Sequence, residues 1–311
     1  RFDGVGLETF DMLMTFVLSS IVGVWALRAH RQLRGHAVAS PTRSARLSAA
    51  AADVAFGFAR SEFGVEDLPG TCTPHDKHVF VLVAEAPSAW PAKWEESSGL
   101  PSALSNALKA RKAEIRLKVK LTAATALADA GDAREGDILV FPEGIRVRNC
   151  SVANVDAVID LLACVRTLGA GLTVEPAGAR SAAQASGGRD AAVFVCAHTA
   201  RDKRCGVIGP VLAEVFEDEL RAGGRSDVRV RLCSHVGGHK YAGNAIVYAA
   251  SEGHWYGYVD PAAAAEIVRE HIVRGTPLIR AKLWRGQVGL SEDEQKAKCD
   301  GCVTPCAPGA A

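Results

Sequence analysis

Two thiols and two imidazoles carry the strongest chemical signal in this chain. Cys196 and Cys205 lie in Val193-Phe194-Val195-Cys196-Ala197-His198 and Arg201-Asp202-Lys203-Arg204-Cys205-Gly206. His235 and His239 lie in Cys233-Ser234-His235-Val236-Gly237-Gly238-His239-Lys240-Tyr241. Thiolates and neutral imidazoles suit zinc or an iron–sulfur centre, and the spacing alone leaves both open. Gly237 and Gly238 favour a wrapped loop between the histidines over a helical turn. Cys233 reads as a buried strand thiol or an alternative ligand. His198 reads equally as a neighbour of the site or a plain loop residue.

The elements that must position these residues follow from hydrophobic periodicity and turn signals. The first half reads as a strand over His78–Ala84, a helix over Leu100–Lys112, a strand over Glu114–Leu121, a hairpin of Ile138–Phe141 with Ile145–Val147, and a helix over Asn154–Thr167. The second half reads as a strand over Ala191–Ala197, a helix over Ile208–Ala222 with Pro210 in its first turn, and a strand over Val228–Cys233. A hairpin of Ala245–Ala249 with Trp255–Val259 follows, then a helix over Pro261–Arg274 capped by Asp260. Both halves have the order βαβββα of a thioredoxin-like unit. The expectation is an α/β chain of two tandem thioredoxin-like units, the C-terminal one carrying the metal site. In the first unit Val79-Phe80-Val81-Leu82 stands where the second has Val193-Phe194-Val195-Cys196, and leucine cannot ligate. The expected divisions are an extension at 1–55, disordered or helical, a degenerate unit at 56–168 and a glycine-rich linker at 169–190. The metal-bearing unit spans 191–297 and a cysteine-containing tail 298–311.

Composition narrows the partners. The 311 residues are 48% hydrophobic and 23% charged with a formal net charge of +1, so no basic field argues for nucleic acid. Nine cysteines, an odd number in a chain long enough to build a core, argue against a disulfide framework and for a reducing compartment. The chain starts at Arg1, as a fragment or processed chain would. Met12–Leu27 is apolar but short for a membrane span. The stretch from Arg28 to Ala52 holds arginines and no acid, a transit-like composition. A membrane role is expected only if residues 12–27 anchor the chain. Cys299, Cys302 and Cys306 could hold a second metal but lack a fourth donor. Cys72, His75 and His78 can be read as ligands or, in preference, as the lead into the first strand.

At these motifs the chain resembles the sucrase/ferredoxin-like family. The matching runs are Asp76-Lys77-His78-Val79-Phe80, Leu108-Lys109-Ala110-Arg111-Lys112, the cysteine and histidine motifs above, His254-Trp255-Tyr256-Gly257-Tyr258-Val259 and Leu283-Trp284-Arg285-Gly286-Gln287. The resemblance covers roughly residues 56–297 and is densest from 191 on. It implies a [2Fe–2S] cluster held by Cys196, Cys205, His235 and His239. Where some members carry a third cysteine after the second ligand, this chain has Ile208.

The expected function is electron transfer through that cluster, with a separate reductase and a protein acceptor as partners, in the cytosol or an organelle. A zinc-stabilised interaction module and a thiol–disulfide oxidoreductase are the rival readings. The second lacks a Cys-x-x-Cys at a helix start. The hydrolysis implied by the word sucrase needs two carboxylates flanking a sugar, and no such pair can be assigned.

Overall fold

A computed structural model describes residues 54–126, 134–163, 172–177 and 191–300. The readings of residues 12–27 and 28–52, and of Cys302 and Cys306, lie outside the described residues. The chain separates into two compact units, Arg1–Ser61 and Glu62–Ala311. Of the first, the described part includes a turn in which the Gly57 amide donates to the Val54 carbonyl at 3.1 Å. All that follows concerns the second.

Strand β1 (Lys77–Val83) is buried along its whole length. Helix α1 (Leu100–Ala110), a single turn α2 (Lys112–Ile115), β2 (Val119–Thr125), the hairpin strands β3 (Ile138–Phe141) and β4 (Ile145–Arg148), and α3 (Val155–Leu162) complete the first half. Strand β5 (Thr173–Pro176) adds to the edge beside β4. The second half runs β6 (Ala191–Cys196), α4 (Lys203–Ala222), β7 (Arg229–Cys233), β8 (Ala245–Ala249), β9 (Glu252–Tyr256) and α5 (Pro261–Ile267). Strand β10 (Trp284–Gln287) and helix α6 (Glu292–Asp300) close it. The strands form one mixed ten-stranded sheet in the order β10-β9-β8-β6-β7-β2-β1-β3-β4-β5. The expected α/β class holds in that form.

The two halves of the sheet are built alike. β1 runs parallel to β2 and antiparallel to β3, as β6 does to β7 and β8. They meet where Ala124 pairs antiparallel with Cys233. These residues are equivalents, because Ala124 lies opposite Leu82 and Cys233 opposite Cys196. A local two-fold relation therefore passes through their pairing. It also brings other equivalents face to face. Phe80 stacks on Phe194 at 3.7 Å and Phe141 on Tyr248 at 4.1 Å. Such ring pairs add about 0.5–1.5 kcal/mol each beyond their buried area. On the other side of the first half, Val79, Val81 and Val140 pack with Leu104, Val158 and Ile159.

Several expected boundaries move. The alternation read as a strand over 114–121 is divided. Ile115 ends the short α2, Arg116 takes a left-handed turn at φ 53°, and the strand starts at Val119. Helix α4 begins at Lys203 rather than Ile208, because Asp202 caps it by accepting from the Arg204 amide at 2.8 Å. Pro210, which suggested a later start, is tolerated inside the helix. Strand β9 begins at Glu252, ahead of the expected Trp255. Asp260 caps α5 as expected, accepting from the Ala263 amide at 2.7 Å. Helix α6 takes in the start of the expected tail and buries Cys299.

Candidate functional site

Cys196 is the last residue of β6, and Cys205 sits in the first turn of α4. Two glycines allow the helix to press on the strand end. A side chain at Gly209 would put its Cβ 2.4 Å from the Cys196 carbonyl oxygen, and one at Gly206 would meet Thr199 Oγ1 at the same distance. Gly206 therefore serves close packing within a helix. Both thiols are free and buried. The Cys205 thiol hydrogen-bonds the Cys196 sulfur, which lowers the pKa of Cys196 against the opposing effect of burial. Backbone N–H groups of His198 and Val236 and the charge of Arg285 act in the same direction. The same hydrogen bond, with burial, raises the pKa of Cys205. A helix N-terminus beside the pair further favours negative sulfur.

The histidines sit where β7 gives way to a wrapped loop. Gly237 and Gly238 take φ of 90° and 65°, which side-chain-bearing residues rarely adopt. The His235 and His239 rings then lie 5.8 Å apart between centroids. Burial, then the charges of Arg201 and Lys120, lower His235 to about 4. It is a neutral imidazole at pH 7, the form that donates to a metal. His198 bridges the two parts of the site. Its Nδ1 accepts from the His235 amide at 3.1 Å, and its Nε2–H donates to the Pro91 carbonyl at 3.0 Å. Val236 links them again, since its amide reaches the Cys196 sulfur.

Two cations close to the thiols, one buried and one half-buried, went unnoticed in the sequence. Arg285 is 1% exposed and Lys120 half-buried, and each acts on the Cys72 and Cys196 thiols. An arginine between tryptophan and glycine in Leu283-Trp284-Arg285-Gly286-Gln287 was the available signal. Asn244 lies against the loop, donating to the Gly238 carbonyl at 3.0 Å. Lys240 points away, to Glu66 at 2.9 Å. Trp255 and Tyr256 are packed in the hairpin. Cys233 is a buried strand thiol whose pKa burial raises well above normal. Burial likewise pushes Cys72 up to about 12 and holds His75 down at about 4, while His78 bonds Tyr248 Oη at 2.8 Å and Thr122 Oγ1 at 2.7 Å.

The structure thus joins Cys196 to Cys205 and His235 to His239. Among the described residues no three His, Cys, Asp or Glu side chains converge on one point where they could hold a metal ion.

The model of the sucrase/ferredoxin-like family matches residues 68–286, more than half of the chain. The chain belongs to the sucrase/ferredoxin-like family. Its relatives include "Altered inheritance of mitochondria protein 32" of Clavispora lusitaniae, 49% identical over 96 residues, 30% of this chain and 34% of that protein. The protein of the same name in Debaryomyces hansenii is 43% identical over 99 residues, 31% of this chain and 35% of that one. "Actin patches distal protein 1" of Saccharomyces cerevisiae is 39% identical over 98 residues, 28% and 31% of the two chains. The match spans about a third of the length of these relatives. No solved structure matches the chain significantly.

These findings correct the expected function. The relatives are named for mitochondrial inheritance and actin patches, not as electron carriers. The electron-transfer reading, and the iron–sulfur and electron-transport labels attached to it, are not upheld by those names or by a convergent donor set. The single-ion zinc module fails on geometry, because one tetrahedral ion needs its donors gathered at one point. Among the described residues no helix is long and apolar enough to cross a membrane.

Proposed function

We propose that Cys196, Cys205, His235 and His239 take a [2Fe–2S] cluster, with the thiols on one iron and the imidazoles on the other. This is the ligation the family resemblance implies, and it concerns the cofactor without assigning an electron-carrier role. The carrying observation is the two-by-two arrangement: a hydrogen-bonded thiol pair at a helix start and an imidazole pair on the adjoining loop, tied together through Val236 and His198. A two-iron centre takes two protein donors per iron, so it does not require three donors at one point. The donor chemistry also fits, since Cys196 is biased toward thiolate and His235 is neutral. Such a cluster supplies two irons that accept sulfur and nitrogen in tetrahedral sets. The chain's part is to hold those donors on a strand end, a helix start and a glycine loop.

We read the two sheet halves as tandem thioredoxin-like units, the second bearing the site. We further propose that the chain serves mitochondrial maintenance from an organelle or the cytosol, in keeping with the names of its relatives. Anaerobic purification with iron, sulfide and zinc counted per chain tests the cofactor. Two irons and two sulfides are expected; zinc, or neither metal, would overturn it. For the role, the chain is expressed in yeast lacking a relative and mitochondrial inheritance is followed. A Cys196→Ala, Cys205→Ala variant should fail to restore it, and equal restoration by variant and parent would count against the cofactor's part.

A further inference from the structure

The run Leu283-Trp284-Arg285-Gly286-Gln287 supplies none of the four donors, yet its arginine is among the most buried side chains in the molecule. Arg285 reaches from β10 to the loop between the histidines. Its Nη1 donates to the Gly237 carbonyl at 3.1 Å and to Asn244 Oδ1 at 2.7 Å. Its Nη2 donates to the Thr71 carbonyl at 2.6 Å and its Nε to Thr71 Oγ1 at 3.1 Å. The guanidinium lies 5.0 Å from the centre of the Tyr241 ring and 5.6 Å from that of Trp255. Asn244 completes the arrangement by donating to the Gly238 carbonyl at 3.0 Å. The Gly237 and Gly238 carbonyls, two of the three between His235 and His239, are therefore held, one by the guanidinium and one by the amide that the guanidinium itself holds.

Two glycines record how tight this contact is. At Gly238 a Cβ would stand 2.3 Å from Arg285 Nη2 and 2.7 Å from the Tyr241 ring. At Gly286, next to the arginine, a Cβ would stand 1.9 Å from Gln295 Oε1. Gln295 in turn donates to the Cys72 carbonyl at 3.2 Å. The arginine is thus fixed at its base as well as at its tip. A buried guanidinium that meets carbonyls and an amide is costly unless negative charge lies near. Of the thiols that act on it, Cys196 is the one shifted toward thiolate, while burial keeps the neighbouring Cys72 protonated. Arginine suits the place because its planar fork reaches several acceptors at once and its charge is permanent.

We propose that Arg285 is the positioning residue of the histidine loop, a permanent buried cation that fixes His235 and His239 against the thiol pair. This deepens the cofactor reading and rests on it for its consequence, though the clamp itself exists in the metal-free chain. The test uses the full chain in two states. In metal-free protein, Arg285→Gln should speed hydrogen exchange of the amides at 235–241 at least tenfold and leave α4 and β6 unchanged. In protein reconstituted with iron and sulfide, Arg285→Gln should retain under a tenth of the parent's iron. Arg285→Lys, which keeps the charge but not the fork, should retain iron with altered g values in the EPR spectrum of the dithionite-reduced sample. Asn244→Ala covers the case in which Arg285→Gln fails to fold; it should speed the same amides by a smaller factor. Parent-like exchange in the variants that fold, or a parent-like EPR spectrum in Arg285→Lys, would overturn the proposal. Should the parent itself take up no iron and sulfide, the cofactor reading fails while the exchange comparison still decides the clamp.

Discussion

At matching places in the two halves of the sheet stand Leu82, one residue before the end of β1, and Cys196, the last residue of β6. Both are buried, and the backbone around them is the same. The Leu82 amide donates to the Asp137 carbonyl at 2.9 Å, and the Cys196 amide to the Asn244 carbonyl at 3.0 Å. What differs is what the next side chains do. Asp137 turns into its own half and accepts from the Arg134 and Asn149 amides at 3.0 and 3.3 Å. Asn244 accepts from Arg285 and donates to Gly238. A carboxylate can only accept, whereas an amide does both, so only the second half can link a cation to a loop carbonyl through this residue. One backbone plan thus serves as plain structure in one half and as a chemical site in the other.

The largest expected effect comes from copying the first half into the second. Cys196→Leu should abolish iron and sulfide retention while leaving the far-ultraviolet circular dichroism of the parent, because leucine already fills the matching place at Leu82. The reverse change, Leu82→Cys, should confer no additional iron, since among the described residues the first half has no helix-borne thiol and no histidine loop beside it. Iron bound to Cys196→Leu at the parent's level would remove Cys196 from the ligand set.

The stacked equivalents test how far the halves depend on each other. Phe80→Ala and Phe194→Ala should each cost about 3–5 kcal/mol in urea unfolding, the usual range for a buried aromatic. Because the rings lie 3.7 Å apart, the double variant should lose less than the sum of the two. Strict additivity would show that the stack contributes little beyond separate burial.

Much of this was legible in the sequence, and for definable reasons. The βαβββα order showed in the two apolar runs Val79–Leu82 and Val193–Cys196, and the glycine pair Gly237–Gly238 announced a loop. The start of α4 was not legible, because Pro210 signals a first turn more strongly than Asp202 signals a cap. Cys205 was therefore placed in a loop, although it lies on the helix. The stacking of Phe80 on Phe194 and the reach of Arg285 to Gly237 are long-range contacts, and no local pattern encodes them. The names of the relatives redirect the function, which the family resemblance had drawn toward electron transfer.

A smaller effect is expected where the helix presses on the strand end. Gly209→Ala places a methyl group 2.4 Å from the Cys196 carbonyl oxygen, and overpacking of this kind costs about 1–3 kcal/mol. The comparison in the first half is Gly99→Ala, where a Cβ meets nothing within 4 Å but φ is +82°. There the cost is local backbone strain, about 1–2 kcal/mol, with no movement of the thiols. Only Gly209→Ala should change the rate at which Cys196 and Cys205 react with a thiol reagent in metal-free protein. Equal rates in the two variants would mean that the helix shifts freely without disturbing the pair.

Acid sensitivity is the mildest distinction, and it too can be assigned to residues. Burial lowers His75 in the first half to about 4, and in the second half lowers His254 to about 4 and His271 to about 3. The ordinary value is 6.5, so below that pH the unfolded chain binds these protons first. Their contribution to stability is present at pH 7 and is lost as pH falls from about 6.5 toward 4, at up to about 1.4 kcal/mol per pH unit for each histidine. His271 offers the simplest test, because its ring is buried and its Nδ1 accepts from Tyr256 Oη at 2.9 Å, a bond whose direction protonation of the ring must reverse. His271→Phe should flatten the loss of stability between pH 6 and 5 by about one histidine's share, measured by urea unfolding at the two pH values. An unchanged slope would show that His271 carries no share of the acid response, and would leave it to other histidines lowered by burial, among them His75, His78, His235 and His254.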